Sequence, residues 1–258
     1  MVMDYTEFLD KAVELAHAAG KVQLSFFRTD KLDAATKLNN FDVVTAADKA
    51  SEKIILEGIR ESYPTHSILS EESGVSGQND AEWLWVVDPL DGTTNFNQGL
   101  PVFSVSIALQ HNGNTVVGVV YLPYLDELFT ATAGGGARMN GELIHVGHKT
   151  DVSAMVVATG MPYDRDRHPD NNLDNISRVC LKVRGIRRMG SAAVDLSYTA
   201  AGFFDAYWEL NLNLWDVAAG ILIVQEAGGI VRPMRSDRNE SIYAGSEESL
   251  KSFVPLLK

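Results

Sequence analysis

The sequence has very little cysteine. Cys180 is the one cysteine among 258 residues, so an intramolecular disulfide is excluded, and a lone thiol fits a reducing compartment. The chain also lacks an apolar run of membrane-spanning length, and its first residues, MVMDYTEFLDKA, are acidic and amphipathic rather than signal-like. We therefore predict a cytoplasmic protein that does not associate with membranes.

Basic side chains are scarce as well. The chain has 22 Lys and Arg residues against 34 Asp and Glu residues, which gives a formal net charge of −12 at pH 7. Proteins that bind nucleic acid usually present a basic face, so this balance argues against direct nucleic-acid binding. The hydrophobic content of 45% is ample for a large core, in one domain or in two halves that share an interface.

Hydrophobic periodicity predicts helices and strands over most of the chain. The first helix is predicted over 4–27, and a second runs from Thr45 to about Glu61, with Asp48 completing a capping box. The polar segments 31–41 and 75–82 are predicted to be loops. Further helices are predicted over 171–180, 190–201, 214–227 and 247–257, and strands over 66–70, 83–87, 155–160, 185–189, 203–210, 230–233 and 242–244.

Residues 102–132 alternate between apolar and polar positions, and the segment HNGN at 111–114 has the composition of a hairpin turn. This pattern predicts an antiparallel meander. The three glycines at 134–136 lack a following helix and the lysine of a P-loop, so we interpret them as a bend and not as a phosphate loop. Strands and helices then alternate after residue 150, which divides the chain into an α+β half, 1–150, and an α/β half, 151–258.

The most informative stretch is WLWVVDPLDGTTNF, residues 83–96. It begins as an apolar strand, which Pro89 is predicted to end because proline has no N–H group to donate. Asp88 and Asp91 lie three residues apart, and two carboxylates at close range repel each other, which predicts a cation between them. The hydroxyls and backbone N–H groups that follow Gly92 suit an anionic group such as phosphate.

Three further acidic residues stand out. Glu71 follows the predicted strand 66–70, and Asp216 lies in the first turn of a predicted helix, where a carboxylate is favoured but is also an ordinary cap. Asp48 has an equally ordinary interpretation as part of the capping box. Oxygen ligands without paired His or Cys favour Mg²⁺ over Zn²⁺, and two such ions roughly 3.5–4 Å apart are a common device for phosphoryl transfer. Spacing alone does not decide whether these acids form a metal site or serve as separate helix caps.

Several motifs together resemble the inositol monophosphatase family of Mg²⁺-dependent, lithium-sensitive phosphomonoesterases. They follow the family order and span essentially the full chain: DVVTAAD (42–48), EES (71–73), WVVDPLDGTTNF (85–96), GSAAVDLSYTAAG (190–202) and WDVAAG (215–220). The resemblance implies a layered αβαβα sandwich, of mixed α+β and α/β character, like that of inositol and sugar phosphatases. It also implies that 1–150 carries the metal-binding motifs, and that 151–258 carries substrate residues and the last metal ligand.

The resemblance implies a role for each site residue. A first Mg²⁺ is expected at Glu71, Asp88 and the carbonyl of Leu90, a second at Asp88, Asp91 and Asp216, and a weaker third ion near Glu71. Lys37 resembles a lysine that neighbours the metals in this family. The residues expected to contact the phosphate or the alcohol of the substrate are Asp91, Gly92, Thr93, Thr94, Gly190, Ser191, Ala192, Glu209 and Asp216.

The implied reaction is hydrolysis of inositol 1-phosphate to inositol and phosphate by a water molecule that Mg²⁺ activates. Glu71, or Thr93 hydrogen-bonded to Asp48, is expected to accept the proton of that water. The substrate would be a small phosphorylated polyol, and the resemblance implies a homodimer.

Other functions stay open. A 3′(2′),5′-bisphosphate nucleotidase or a histidinol-phosphate phosphatase would share these motifs, although Thr94 and Asn95 after DGT resemble the inositol-phosphatase version. A different class is a regulatory partner of the transcription machinery that keeps the fold; this predicts lost metal ligands, and none has been lost. The basic cluster of Arg184, Arg187 and Arg188 is interpreted as a solvated face or a subunit contact.

Overall fold

Helices lie on both sides of two larger β-sheets in the computed structural model, which describes residues 4–29, 35–36, 43–78 and 81–258, with the backbone alone at 35–36 and 43–44. The described helices are α1 (Thr6–Phe26), α2 (Ala46–Ser62), α3 (Thr93–Asn97), α4 (Leu173–Cys180), α5 (Ala192–Ala200), α6 (Leu214–Glu226) and α7 (Glu247–Phe253), with 3₁₀ turns at Val152–Ala154 and Val254–Leu256.

The strands form three sheets within the described ranges. In chain order they are β1 (Ala35–Thr36), β2 (Val43–Val44), β3 (Ser67–Ser70), β4 (Gly74–Ser76), β5 (Trp83–Asp91), β6 (Ser104–His111), β7 (Asn114–Leu122), β8 (Glu127–Thr132), β9 (Gly136–Met139), β10 (Glu142–Leu143), β11 (Val156–Thr159), β12 (Gly185–Arg187), β13 (Ala206–Leu212), β14 (Ile230–Pro233) and β15 (Glu240–Gly245).

The larger sheet has the order β10-β9-β8-β7-β6-β5-β3-β4, and the smaller one the order β12-β11-β13-β15-β14, while β1 pairs with β2. The predicted meander is confirmed, because β6, β7 and β8 pair in sequence as antiparallel neighbours. Among the described strands, two places have parallel neighbours: β3 beside β5, and β11 beside both β12 and β13. Both places prove relevant to the site.

The sheets and helices stack in five layers. Helices α1 and α2 cover one face of the larger sheet, where Leu15 and Ile55 pack with Trp85 and Ile107 in one apolar cluster. Helices α5 and α6 lie between the sheets and contact β6 and β7 on one side and β15 on the other. The outer face of the smaller sheet is covered by α4 and α7, whose side chains pack around Trp208. This arrangement is a layered αβαβα sandwich, which confirms the predicted fold class.

Some predicted boundaries are wrong. Strand β5 does not end at Pro89 but continues to Asp91, because a register shift absorbs the proline. The last helix was predicted to reach residue 257, but α7 ends at Phe253 and Pro255 lies in a 3₁₀ turn, since proline cannot donate within a helix. The segment 75–82 was predicted as a loop, yet it overlaps strand β4. Most of the predicted loop 31–41 lies outside the described residues.

The three glycines at 134–136 form the bend that leads from β8 into β9, as predicted, with Gly136 as the first residue of β9. Their backbone does bind an anionic group, but one from the chain itself. The N–H groups of Gly134 and Gly136 donate to the two carboxylate oxygens of Glu226 at 2.8 and 2.9 Å. This contact fixes the end of α6 against the turn between β8 and β9.

Candidate active site

Asp88 and Asp91 lie at the carboxyl end of β5, where the strand loses its regular register. Asp88 is paired with Ser106 of β6 and Asp91 with Ser104, so three steps along β5 match two along β6. In a regular strand, residues three apart point to opposite faces, and the extra residue of a bulge returns the second one to the first face. The bulge therefore brings the two carboxylates together, and it takes Pro89 out of the ladder.

Glu71 reaches the same place from the neighbouring strand. Strand β3 runs parallel to β5 with Ser70 paired to Val87, so the residues that follow both strands emerge at one edge of the sheet. The N–H of Glu71 donates to the carbonyl of Val87 at 3.2 Å, and its carboxyl is close enough to Asp88 to raise the pKa of that residue. The parallel pairing thus places the acids of two separate motifs side by side.

Asp91 is also bound to the start of α5. Its Oδ2 accepts hydrogen bonds from Ser191 Oγ at 2.6 Å and from the N–H of Ala193 at 2.8 Å. Ser191 is the N-cap of α5, so the carboxylate lies where a helix favours negative charge. Gly92 follows with a φ of 90°, and a Cβ there would lie 3.0 Å from the carbonyl of Val102, so the turn requires glycine.

Asn95 joins this turn to the segment before α5. Its Nδ2 donates to the carbonyls of Val102 and Met189, both at 2.7 Å. The side chain is buried, so these bonds hold the segment that contains Gly190 beside Gly92. This role of Asn95 could not be inferred from the sequence, because an asparagine in a polar turn carries no signal of a distant partner.

Asp48 uses its two oxygens for two purposes. Oδ2 accepts hydrogen bonds from the N–H of Thr45 at 2.8 Å and from its hydroxyl at 2.5 Å, which confirms the predicted capping box at the start of α2. Oδ1 lies 3.0 Å from the hydroxyl of Thr93, which is equally close to the carbonyl of Leu90. One hydroxyl proton is shared between these two acceptors. The cap therefore leaves one carboxylate oxygen for Thr93.

Asp216 has the same arrangement at the start of α6. The N–H of Asn213 donates to its Oδ2 at 2.7 Å within a second capping box. The cap interpretation of Asp48 and Asp216 is thus correct, and it accounts for one oxygen of each. In both residues the helix start orients a carboxylate that faces further polar groups.

The clustered acids raise one another's pKa. Loss of water contact raises the pKa of Asp88 well above its ordinary value, and the charges of Glu71, Asp91 and Asp216 raise it further. The same loss raises the pKa of Asp91 to about 6, although the hydrogen bond from Ser191 opposes the change. Loss of water contact and the charge of Asp91 also raise the pKa of Asp216. A cation between these groups would reverse the repulsion and favour the ionised carboxylates.

The donor set suits Mg²⁺ in its chemistry, since it offers hard carboxylate oxygens. Within the described ranges, no three His, Cys, Asp or Glu side chains already have their donor atoms grouped tightly enough to hold a metal ion. Instead, Asp88, Asp91 and Asp216 each give one oxygen to a hydrogen bond inside the protein. Buried acids with raised pKa values and oriented second oxygens fit a site that a divalent cation completes.

A pocket connects two of these acids, Asp91 and Asp216, to the smaller sheet. Glu209 of β13 lines it, with 8% of its surface exposed, and its Oε2 accepts a hydrogen bond from the Tyr207 hydroxyl at 2.8 Å. Burial raises the pKa of Glu209 to about 7, against the opposing effects of Tyr207 and Arg188. The lining consists of Asp91, Gly160, Met161, Pro162, Tyr163, Arg188, Gly190, Ser191, Ala192, Glu209, Leu210, Asn211, Leu212, Asn213 and Asp216.

The pocket brings together Glu209, Asp91, Asp216 and the segment Gly190 to Ala192, all of which were expected at the substrate. Arg188, interpreted from the sequence as a solvated or subunit-contact residue, also lines it. Sequence reasoning missed the segment 160–163, although its place just after an apolar strand is where such residues occur. Lys37 and Asp42 lie outside the described residues.

Comparison with known proteins decides the family. The chain matches the inositol monophosphatase family over residues 4–253. The chain belongs to the inositol monophosphatase family.

Individual members of the inositol monophosphatase family are similar over nearly the whole chain. The Nus factor SuhB of Pasteurella multocida is 48% identical over 224 residues, which cover 86% of this chain and 84% of that protein. The inositol-1-monophosphatase of Mesorhizobium japonicum is 39% identical over 261 residues, covering 99% and 98%. The structure of inositol monophosphatase from Anabaena (Nostoc) sp. PCC 7120 superposes with a TM-score of 0.86 at 42% identity, covering 97% of this chain and 95% of that one.

Members of the inositol monophosphatase family are generally metal-dependent phosphatases. The acid cluster and the pocket beside it are consistent with that chemistry. In the part of the chain that the structure describes, no helix is both long and apolar enough to cross a membrane.

Proposed function

We propose that this chain is a Mg²⁺-dependent phosphomonoesterase that hydrolyses inositol 1-phosphate to inositol and phosphate. The observation that carries the proposal is the pocket in which Asp91 of the β5 bulge and Asp216 of α6 face Glu209 of the smaller sheet. One side of this pocket suits a cation and a phosphate, and the other presents a carboxylate to the hydroxyls of an alcohol. A phosphorylated polyol needs both sides.

Two or three Mg²⁺ ions would be held by the acids and by one backbone carbonyl. These ligands are Glu71, Asp88, the carbonyl of Leu90, Asp91 and Asp216. When bound, Mg²⁺ supplies Lewis acidity and positive charge at the phosphate. The second carboxylate oxygens, which the capping boxes and α5 orient, are the groups available for this role.

The chain's own residues bind the substrate and move the proton. The N–H groups and hydroxyls of Gly92, Thr93 and Thr94 follow the bulge and would hold the phosphate oxygens. The Thr93 hydroxyl, 3.0 Å from Asp48, would pass a proton from the attacking water to that carboxylate, with Glu71 as the alternative acceptor. Glu209 and the segment Gly190 to Ala192 would bind the alcohol.

A substrate panel tests the proposal. Purified protein should release phosphate from inositol 1-phosphate faster than from 3′-phosphoadenosine 5′-phosphate, histidinol phosphate or fructose 1,6-bisphosphate. EDTA should abolish the release, Mg²⁺ should restore it, and Li⁺ should inhibit it. Preference for the bisphosphorylated nucleotide or for histidinol phosphate would replace the proposed substrate, and absence of Mg²⁺-dependent release from all four would overturn the phosphatase assignment.

Thr93→Val is expected to lower kcat on inositol 1-phosphate by about 10²-fold, because it removes the hydroxyl between Asp48 and Leu90. Thr93→Ser keeps the hydroxyl and should retain most of the activity. Steady-state kinetics of the two variants, with melting temperatures to verify folding, make the comparison. Equal activity of the valine and serine variants would exclude the hydroxyl from the reaction.

A second candidate function comes from the relatives. The similar Pasteurella multocida protein bears the name Nus factor SuhB, which favours a regulatory partner of the transcription machinery. Sedimentation of the purified chain with purified RNA polymerase tests this function. Asp91→Asn should bind as the unchanged chain does if the two functions are separate, and lack of a complex at micromolar concentrations would dismiss the candidate.

We also propose a homodimer in the cytoplasm. The family resemblance supports the homodimer, and the single cysteine supports the cytoplasmic location. Light scattering of the purified protein should give twice the chain mass of 28.2 kDa.

A further inference from the structure

Gly160 lies directly beside Glu209 at the carboxyl ends of two parallel strands. Strands β11 and β13 pair in register with Thr159 opposite Trp208, and Gly160 and Glu209 are the next residues along each chain. A Cβ at position 160 would lie 1.8 Å from Glu209 Oε1 and 2.2 Å from its Cδ. The carboxylate of Glu209 therefore occupies the volume that any side chain at 160 would fill.

Hydrogen bonds hold the backbone at Gly160 in place, so it cannot move away from Glu209 to make room for a side chain. The buried Asn172 donates from Nδ2 to the carbonyl of Gly160 at 2.7 Å, and its Oδ1 accepts from Trp208 Nε1 at 2.7 Å. The Thr159 hydroxyl donates to the carbonyl of Trp208, also at 2.7 Å. These three bonds tie the ends of β11 and β13 together. A substituent at position 160 would displace the carboxylate and not the backbone.

Glu209 is held on its other side as well. The hydroxyl of Tyr207, a fully buried residue, donates to Oε2 at 2.8 Å, so the carboxylate lies over Gly160 on one side and is held by that hydroxyl on the other. A shift of the carboxylate away from residue 160 would break or bend this bond. It would also move the acceptor oxygens relative to the pocket, which both Gly160 and Glu209 line.

We propose that Gly160 is a specificity-determining residue. Because it has no side chain, the Glu209 carboxylate can occupy the position from which it binds a substrate hydroxyl. The proposal rests on the proposed function, because it takes Glu209 as the group that recognises the alcohol. The substrate class for this site is then phosphomonoesters of polyhydroxylated alcohols. Gly160 acts through Glu209 and touches no reacting atom, so it is a positioning residue.

The experiment is a double-mutant cycle with Gly160→Ala, Glu209→Ala and the double variant. The quantity measured is the ratio of kcat/KM for inositol 1-phosphate to kcat/KM for ethyl phosphate, which has no free hydroxyl. We expect this ratio to fall about tenfold or more in each single variant, because a site built to bind a hydroxyl loses its acceptor. The double variant should show no further fall, since the Cβ then occupies space that the carboxylate has left.

The outcomes separate the inference from the function on which it rests. An unchanged ratio in Glu209→Ala would remove Glu209 from alcohol recognition and with it part of the proposed function. A reduced ratio in Glu209→Ala with an unchanged ratio in Gly160→Ala would overturn the role of Gly160 alone. Additive losses in the double variant would show that residue 160 acts through some other contact, and would also overturn it.

Melting temperatures keep the test decisive if Gly160→Ala is unstable. The clash is with the end of a flexible side chain, so we expect a small decrease in that variant. The double variant should melt within a few degrees of Glu209→Ala, because it lacks the clashing carboxylate. A double variant as unstable as Gly160→Ala would show that the Cβ meets something other than Glu209.

Discussion

Replacement of Asp91 by asparagine is expected to lower kcat/KM for inositol 1-phosphate by about 10²- to 10³-fold or more, with the fold intact. The asparagine carbonyl can accept the same hydrogen bonds from Ser191 and Ala193, now found at 2.6 and 2.8 Å. The negative charge that would face the cation is lost, and an amide N–H₂ group takes the place of an acceptor oxygen. Steady-state kinetics over a range of Mg²⁺ concentrations measure the effect.

Asp126→Asn is the matched control. Asp126 is exposed, accepts a hydrogen bond from the Tyr121 hydroxyl at 2.9 Å, and has a φ of 54°, which asparagine tolerates. The same change of charge there, outside the residues that line the pocket, should leave kcat/KM within about twofold. If Asp91→Asn retained Mg²⁺-dependent activity within tenfold of the unchanged chain, the assignment of Asp91 as a metal ligand would be wrong.

Metal-free protein is expected to lose stability as the pH rises from 5 to 8. Burial raises the pKa of Asp91 to about 6 and that of Glu209 to about 7, so the folded chain holds protons that the unfolded chain has released. The unfolded state binds fewer protons in this range, and the free energy of unfolding therefore decreases with pH. At 1.36 kcal/mol per pKa unit, about one unit from Asp91 and about two from Glu209 amount to roughly 4 kcal/mol.

Mg²⁺ should act in the opposite direction, because it binds the ionised carboxylates. The increase in melting temperature that Mg²⁺ produces should be larger at pH 8 than at pH 6. Urea unfolding of EDTA-treated protein at several pH values, with and without Mg²⁺, measures both effects. Glu209→Gln serves as the control and should show a shallower decrease with pH. A free energy of unfolding that rises from pH 5 to 8 in the metal-free protein would contradict the raised pKa values.

Local sequence patterns were sufficient for the elements and for much of the acid cluster. Thr45 and Asp48 form the capping box that their spacing predicts, and the meander follows from alternation and a hairpin turn. Glu71 follows strand β3 and Asp88 follows the apolar residues of β5, so their common edge could be inferred once the strands were taken as neighbours. These features depend on residues a few positions apart.

Features that depend on two distant segments could not be predicted in this way. Pro89 suggested the end of a strand. That prediction was wrong because the bulge that accommodates the proline is defined only by the pairing of β5 with β6. The contact between Gly160 and Glu209 needs the register of β11 on β13, and no local pattern carries that register. The same holds for Asn95, whose amide meets carbonyls 7 and 94 residues away. The family resemblance supplied roles for site residues that spacing alone left open.

The capping boxes of α2 and α6 have a consequence for how this site would decay over time. Asp48 and Asp216 each stabilise a helix start, typically by about 1 kcal/mol, whether or not a substrate is ever bound. Burial raises the pKa of Asp88 and of Asp216 alike, but Asp88, with 2% of its surface exposed, caps no helix and so has no such contribution to offset that cost when no cation is bound. A descendant that gave up phosphate chemistry would thus be expected to keep Asp48 and Asp216 and to replace Asp88 first. We therefore expect the residue at position 88 to be a better marker of lost catalysis among diverged members of this fold than those at 48 and 216.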